Sequence, residues 1–146
     1  MEAVILECGD FPKKEYPREL LRRADVIICC DRALDTFLRH RDKIFKDLRD
    51  PDAIIGDMDS ISPKHLKEYS RIAIREEEQE TNDQTKAFRY LLEHWPEVKT
   101  VHILGATGKR EAHTLGNLGQ IMEYARLYGA SGNPDEDRIY VDAVSD

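Results

Sequence analysis

Apolar residues along this chain fall into short runs, separated by longer stretches in which apolar and polar residues mix. The runs are Ala3–Leu6 (AVIL), Val26–Cys30 (VIICC), Ala53–Ile55 (AII), Ile72–Ile74 (IAI), Val101–Leu104 (VHIL) and Ile139–Val141 (IYV). Most are nearly continuous in apolar character, as expected of strands covered on both faces, whereas a strand with one wet face alternates. The stretches between them carry helical spacing. Tyr16–Arg23 follow a proline-containing turn, and Asp31–Arg39 place Ala33, Leu34, Phe37 and Leu38 on one side. Ser62 and Pro63 suit the N-cap and first position of a short helix reaching about Tyr69. Gln84–His94 align Ala87, Phe88, Leu91 and Leu92, with Trp95, before Pro96 stops the pattern. A last helix near Thr114–Leu127 would bury Leu115, Leu118, Met122 and Ala125 and end at Gly129. Strand–helix alternation of this kind predicts an α/β fold, a three-layer α/β/α domain with a mainly parallel sheet of about six strands.

At 146 residues, 1–146 reads as one domain, and 40% hydrophobic with 35% charged residues fits a soluble globular protein. The net charge of −7 argues against nonspecific binding to nucleic acid or to anionic membranes. A phosphate ligand would then need a local basic group or a divalent metal. No apolar run approaches the ~20 residues that span a bilayer. The N-terminus, MEAVILECGD, has neither a basic leader nor a long apolar segment and is not expected to be a signal peptide. Cys8, Cys29 and Cys30 form an odd set without zinc spacing. The adjacent pair would point to opposite faces of a strand, so all three read as reduced thiols of a cytoplasmic protein. Glu76–Glu80 reads as a solvated acidic loop and Ser131–Asp137 as a polar turn. The chain stops soon after its last strand, which suggests a piece of something longer.

In an open parallel sheet, ligands bind beyond the carboxyl ends of the strands. The segments expected there are Gly9-Asp10, Asp31, Gly56-Asp57-Met58-Asp59-Ser60, Gln79–Lys86 (QETNDQTK) and Gly105–Asn117 (GATGKREAHTLGN). Four of the five carry an aspartate, and carboxylates gathered at one rim suggest Mg²⁺, which takes a few carboxylate oxygens plus phosphate and water. A single aspartate after a strand is commonly just a helix cap. GDMDS holds two, one more than a cap needs, so Asp57 and Asp59 are candidate metal ligands. In GATGKR, glycines would let backbone N–H groups approach phosphates, with Lys109 and Arg110 as clamps; a plain tight turn is the alternative. The P-loop spacing GxxxxGK[ST] is absent. A dinucleotide-binding turn is a poor match too, because Glu111 stands at the third glycine position and the segment follows the fifth strand. His113 is a candidate ligand or acid–base group, and a hydrogen-bonding support is its simpler role. Thr81 or Asn82 suits the cap of the fourth helix, and Asp83 and Lys86 share one face of its first turn.

Taken in order, GDMDS, QETNDQTKA and GATGKREAHTLGN make the chain resemble the catalytic domain of thiamine pyrophosphokinase over nearly all of its length. The resemblance implies Mg²⁺-dependent transfer of the β,γ-diphosphate of ATP to the hydroxyl of thiamine, giving AMP and thiamine diphosphate. It implies ATP and thiamine as partners, with no nucleic acid or membrane, and a homodimer whose thiamine site lies between chains. By the same resemblance, Asp57 and Asp59 match the acidic pair that holds metal and phosphates. Gln79 and Asp83 match the thiamine side of the cleft, and Thr85 and Lys86 match polar groups beside the phosphates. Arg110 matches the basic residue of the glycine loop, in which Gly105, Gly108, Lys109, His113 and Asn117 are the further substrate-binding positions. Asp31 matches the aspartate after the second strand. Asp57, Asp59, Asp83 and Arg110 are the catalytic candidates. Two positions depart from the family pattern. Ala112 stands where the glycine loop usually has aspartate, and Arg32 stands where the second-strand loop has glycine. The β-sandwich domain with which family members complete the thiamine pocket has no counterpart in these 146 residues. A catalytically silent nucleotide-binding domain is therefore the alternative expectation.

Overall fold

The computed structural model describes residues 1–76, 83–106 and 139–144. In chain order the elements are β1 (Glu2–Leu6), α1 (Glu15–Arg23), β2 (Val26–Cys30), α2 (Ala33–Ile44) and β3 (Ala53–Gly56). They continue as α3 (Pro63–Glu68), a 3₁₀ turn over Ser70–Ile72, β4 (Ala73–Arg75), α4 (Asp83–His94), β5 (Thr100–Leu104) and β6 (Tyr140–Val144). The six strands form one sheet in the order β4-β3-β2-β1-β5-β6. Every pairing is parallel, from Ala3 opposite Val26 at the centre to Leu104 opposite Val144 at the edge. The predicted α/β class is the one observed.

The strands lack alternation because alternate side chains feed two separate cores. Val4, Leu6, Ile27, Cys29, Ile54 and Leu104 pack with Leu20 and Leu21 of α1 and Ala33, Leu34 and Phe37 of α2. Ala3, Ile5, Val26, Ile28, Cys30, Ile55 and Ile103 pack with Ala87, Phe88 and Leu91 of α4. Cys29 and Cys30 thus go to opposite faces, and both thiols are free. Phe37 and Phe88 are the largest side chains fully enclosed in the two cores. Each contributes roughly 1.5–3 kcal/mol on burial. Handedness explains the division of helices. Parallel crossovers are right-handed, so a chain stepping from β1 to β4 in one direction keeps its helices on one face. Crossing back from β4 to β5 puts α4 on the other. The reversal makes β1 and β5 the switch point of the sheet, and their carboxyl ends form its natural crevice.

The observed boundaries refine the expected ones. α2 runs on to Ile44, because Ile44 and the following Phe45 still reach the core. Ile72 is taken by the 3₁₀ turn, so β4 starts one residue later, and β6 extends to Val144 in full register with β5. Ser62 makes no side-chain cap bond. Its backbone N–H donates instead to Asp35 Oδ2 at 3.0 Å, while His65 Nδ1 meets Asp35 Oδ1 at 2.5 Å, so α3 is fastened to α2 rather than capped. The helix expected near residues 114–127 lies outside the described residues. Among the described residues no helix is long and apolar enough to cross a membrane.

Candidate functional site

The rim is built at the points where strands end. β2 stops at Cys30, and Asp31 turns the chain with φ 51°, a left-handed conformation that aspartate tolerates better than most residues. Its backbone N–H still donates to Ile55 O at 2.8 Å, so Asp31 is anchored to β3 while its side chain faces the loop beyond. Gly56 makes room for it. A Cβ at Gly56 would sit 3.0 Å from Asp31 Cβ, and φ there is +151°. The next three residues explain the sequence GDMDS. Met58, at φ 71°, is 4% exposed and plugs the turn into the core shared by α1 and α2. Asp57 and Asp59 flank this plug and are left toward solvent, with Asp57 Oδ1 accepting the Asp59 N–H at 3.0 Å. Neither aspartate caps α3, which begins only at Pro63.

The first turn of α4 closes the rim from the other core. Gln84, Thr85 and Lys86 are buried there, and Lys86 Nζ donates to Glu76 O at 3.2 Å across the end of β4. Lys86 is close enough to favour the ionised forms of Asp57 and Asp83. Glu7, directly after β1, faces the same turn. With its amide nitrogen toward Glu7, Gln84 donates to both Glu7 carboxylate oxygens at 3.1 Å. On the far side of β1, Gly105 has φ 75°, and a Cβ there would lie 2.5 Å from Glu7 O. Glycine is required at this position because β1 and β5 come together so closely, with Gly9 N–H donating to Gly105 O at 2.8 Å.

Electrostatics mark these groups as one cluster. Burial pushes the Asp31 carboxyl up to about 6; a hydrogen bond from Ser60 opposes the rise, and Asp57 and Asp83 add to it. Asp83 is also raised by burial, with Lys86 working against and Asp57 for. Glu7 reaches about 7 through burial and the charge of Asp83. Asp57 is held below the usual carboxylate range, chiefly by the Asp59 N–H. Asp31 Oδ1 is fully buried without a hydrogen-bond partner. A rim of like charges with an unsatisfied buried oxygen gains from a cation, and two outward carboxylates suit a metal that completes its shell with phosphate and water. Among the described residues no group of three or more His, Cys, Asp or Glu side chains is placed to hold a metal ion.

The structure therefore brings together Asp31, Asp57, Asp83 and Lys86, with Asp59 beside Asp57 and Thr85 buried in the same helical turn. Asp10 lies exposed farther along the β1 loop. Gln79, Gly108, Lys109, Arg110, His113 and Asn117 lie outside the described residues. Sequence reasoning missed Glu7, Gln84 and Ser60. For Glu7 a signal existed, since a carboxylate directly after the apolar run AVIL ends a buried strand at the ligand-binding edge.

Fold and rim define an α/β/α domain whose acidic edge, bridged by one buried lysine, lies at the carboxyl ends of a fully parallel sheet. The family model described as "Thiamin pyrophosphokinase, catalytic domain" matches residues 17–128, and the chain belongs to that family. No curated protein matches it in sequence. Among solved structures, a probable thiamine pyrophosphokinase from Staphylococcus saprophyticus superposes with TM-score 0.65 at 23% identity, over 100% of this chain and 66% of its own. Thiamin pyrophosphokinase from Candida albicans gives 0.66 at 20% identity, over 99% of this chain and 58% of its own. The yeast enzyme gives 0.65 at 18%, over 99% and 58%. At these identities the likeness is one of fold, and the chain spans about three fifths to two thirds of those proteins.

Proposed function

We propose that this chain, 1–146, is the nucleotide-binding catalytic domain of a thiamine diphosphokinase. In that reaction the hydroxyl oxygen of thiamine bonds to the β-phosphorus of ATP while the bond from that phosphorus to the α,β-bridging oxygen breaks. AMP leaves with that oxygen, and the hydroxyl proton must go to a base. What carries the reading is the family match over residues 17–128, joined to the convergence of Asp31, Asp57, Asp83 and Lys86 on one edge of the sheet. Diphosphoryl transfer asks mainly for charge neutralisation and in-line positioning, which such a rim supplies.

Asp57 and Asp59 would hold Mg²⁺, whose charge offsets that of the triphosphate. Lys86, with Arg110 from the glycine loop, would steady the phosphates, and Thr85 would add a hydroxyl beside them. Asp83 and Gln79 would face thiamine. A carboxylate raised by burial, as Asp83 is, is a better proton acceptor than an exposed one, so Asp83 would take the hydroxyl proton. The family resemblance supports a homodimer, and three free thiols with an ATP requirement support a cytoplasmic setting. The test is AMP release measured with and without thiamine, with and without Mg²⁺. Thiamine-dependent release that stops on chelation is expected; release indifferent to thiamine would overturn the assignment.

A second reading, a silent nucleotide-binding domain, is favoured by Ala112 in place of the family's aspartate. On that reading Mg·ATP binds without turnover, and Ala112→Asp restores thiamine-dependent AMP release.

A further inference from the structure

The first turn of α4 has to aim Asp83, yet the opening turn of a helix lacks the backbone bonds that fix later turns. Contacts from outside the helix help to hold it here. Cys30 Sγ donates weakly to Asp83 O at 3.7 Å, Lys86 Nζ donates to Glu76 O at 3.2 Å, and Gln84, with its amide nitrogen turned toward Glu7, donates to the Glu7 carboxyl oxygens at 3.1 Å, an orientation that relieves the facing of its amide oxygen onto acceptors. The last differs in kind. Gln84 is 2% exposed, and its single amide nitrogen reaches both oxygens of a half-buried carboxyl group, which restrains displacement of the turn. It also ties α4 to the end of β1, whose own position is set where Glu7 N–H donates to Leu104 O and where Glu7 O lies too near Gly105 to admit a Cβ there. The contact therefore refers Asp83 to the switch point of the sheet.

We propose that Glu7 is a positioning residue for the transfer reaction, acting through Gln84 to fix the direction from which Asp83 meets the substrate hydroxyl. The proposal rests on the functional reading above, and nothing in it requires Glu7 to touch substrate. In-line displacement tolerates little misplacement, so loosening the turn lowers the rate of the step more than it lowers binding of ATP.

The experiment uses the whole chain and compares it with Glu7→Gln, Glu7→Ala, Gln84→Ala and the Glu7→Ala/Gln84→Ala double variant. Thiamine-dependent AMP release is expected to show kcat reduced by about 10- to 100-fold in each alanine single variant, with KM for ATP within about threefold. The double variant should be no slower than the singles, since both break one contact. Glu7→Gln, which keeps an acceptor oxygen, should recover most of the rate. Amide exchange at Ala87 and Phe88, the first residues bonded back to the α4 opening turn, should quicken equally in both singles and the double. If Glu7→Ala does not fold, Glu7→Asp, which withdraws the carboxylate by one methylene, takes its place with the same expectation. Unchanged kcat, additive losses, or no rescue by glutamine would overturn the proposal. Should the unmodified chain release no AMP, the functional reading fails by itself. The exchange data then decide the Glu7–Gln84 coupling alone, and additive or unchanged exchange overturns it.

Discussion

Asp31 and Asp57 stand side by side and are pushed in opposite directions, because one is buried without a full set of partners and the other has a backbone N–H to itself. Replacing Asp31 by asparagine removes a charge from the crowd, and asparagine accepts the left-handed φ of 51°. The metal-free domain should then hold or gain stability, by up to about 1 kcal/mol, while Mg·ATP affinity falls at least tenfold. Urea unfolding in chelator and calorimetry with Mg·ATP read the two effects separately. Loss of stability with unchanged affinity would mean that Asp31 is structural. Asp59 is a cleaner case. It is exposed and its side chain supports nothing else, so Asp59→Ala should leave the melting temperature within about a degree or two and weaken Mg·ATP about tenfold. Equal affinity would remove Asp59 from the proposed ligands.

At the scale of elements, much of this architecture could be read from the residues, and the exceptions have physical causes. The six apolar runs became six strands because strands buried on both faces leave a continuous signature. In α4, Ala87, Phe88 and Leu91 are buried as their spacing required. GDMDS gave up its outward carboxylates to sequence reasoning but not the role of Met58, since burial of the middle residue follows from the left-handed turn rather than from any period. Ser62 looked like a cap by residue type, yet Asp35 claims its N–H across the α2–α3 contact. The pairing of Glu7 with Gln84 was beyond reach for a simpler reason. Seventy-odd residues separate them, and only the return of the chain from β4 to β5 lays α4 over the end of β1. Gly56 joins this scale to the residues. Gly56→Ala places a methyl 3.0 Å from Asp31 Cβ at a φ of +151° that alanine avoids. A loss of about 2–3 kcal/mol is expected, together with weaker Mg·ATP binding, because β3 and the Asp31 turn cannot both keep their places. Chemical denaturation of the variant checks the first part, and a loss below about 0.5 kcal/mol would show that the loop relaxes freely.

For the molecule as a whole, the raised carboxyl groups of the rim make stability fall as pH rises through neutrality. Glu7 is raised to about 7 in the folded chain against 4.5 for an ordinary glutamate. The folded state therefore binds its proton more tightly than the unfolded state does. This favours folding in full below the unfolded value, and the benefit is lost as pH rises through about 7. Asp31, raised to about 6, acts in the same direction. Asp57 and Glu2, held ionised, act oppositely, and their contribution is lost only in more acidic solution. The metal-free chain should accordingly be most stable near pH 5 and lose about 2–3 kcal/mol between pH 5 and 8. Glu7→Gln takes the largest contributor away while keeping an acceptor for Gln84. Its profile should be flatter over that interval, and at pH 8 the variant should exceed the parent by about 1–3 kcal/mol. Urea unfolding of both chains in chelator, at half-unit steps of pH, measures this directly. Parallel profiles would mean that Glu7 is ionised at no cost, and that the charge facing Asp83 is already neutralised within the folded chain.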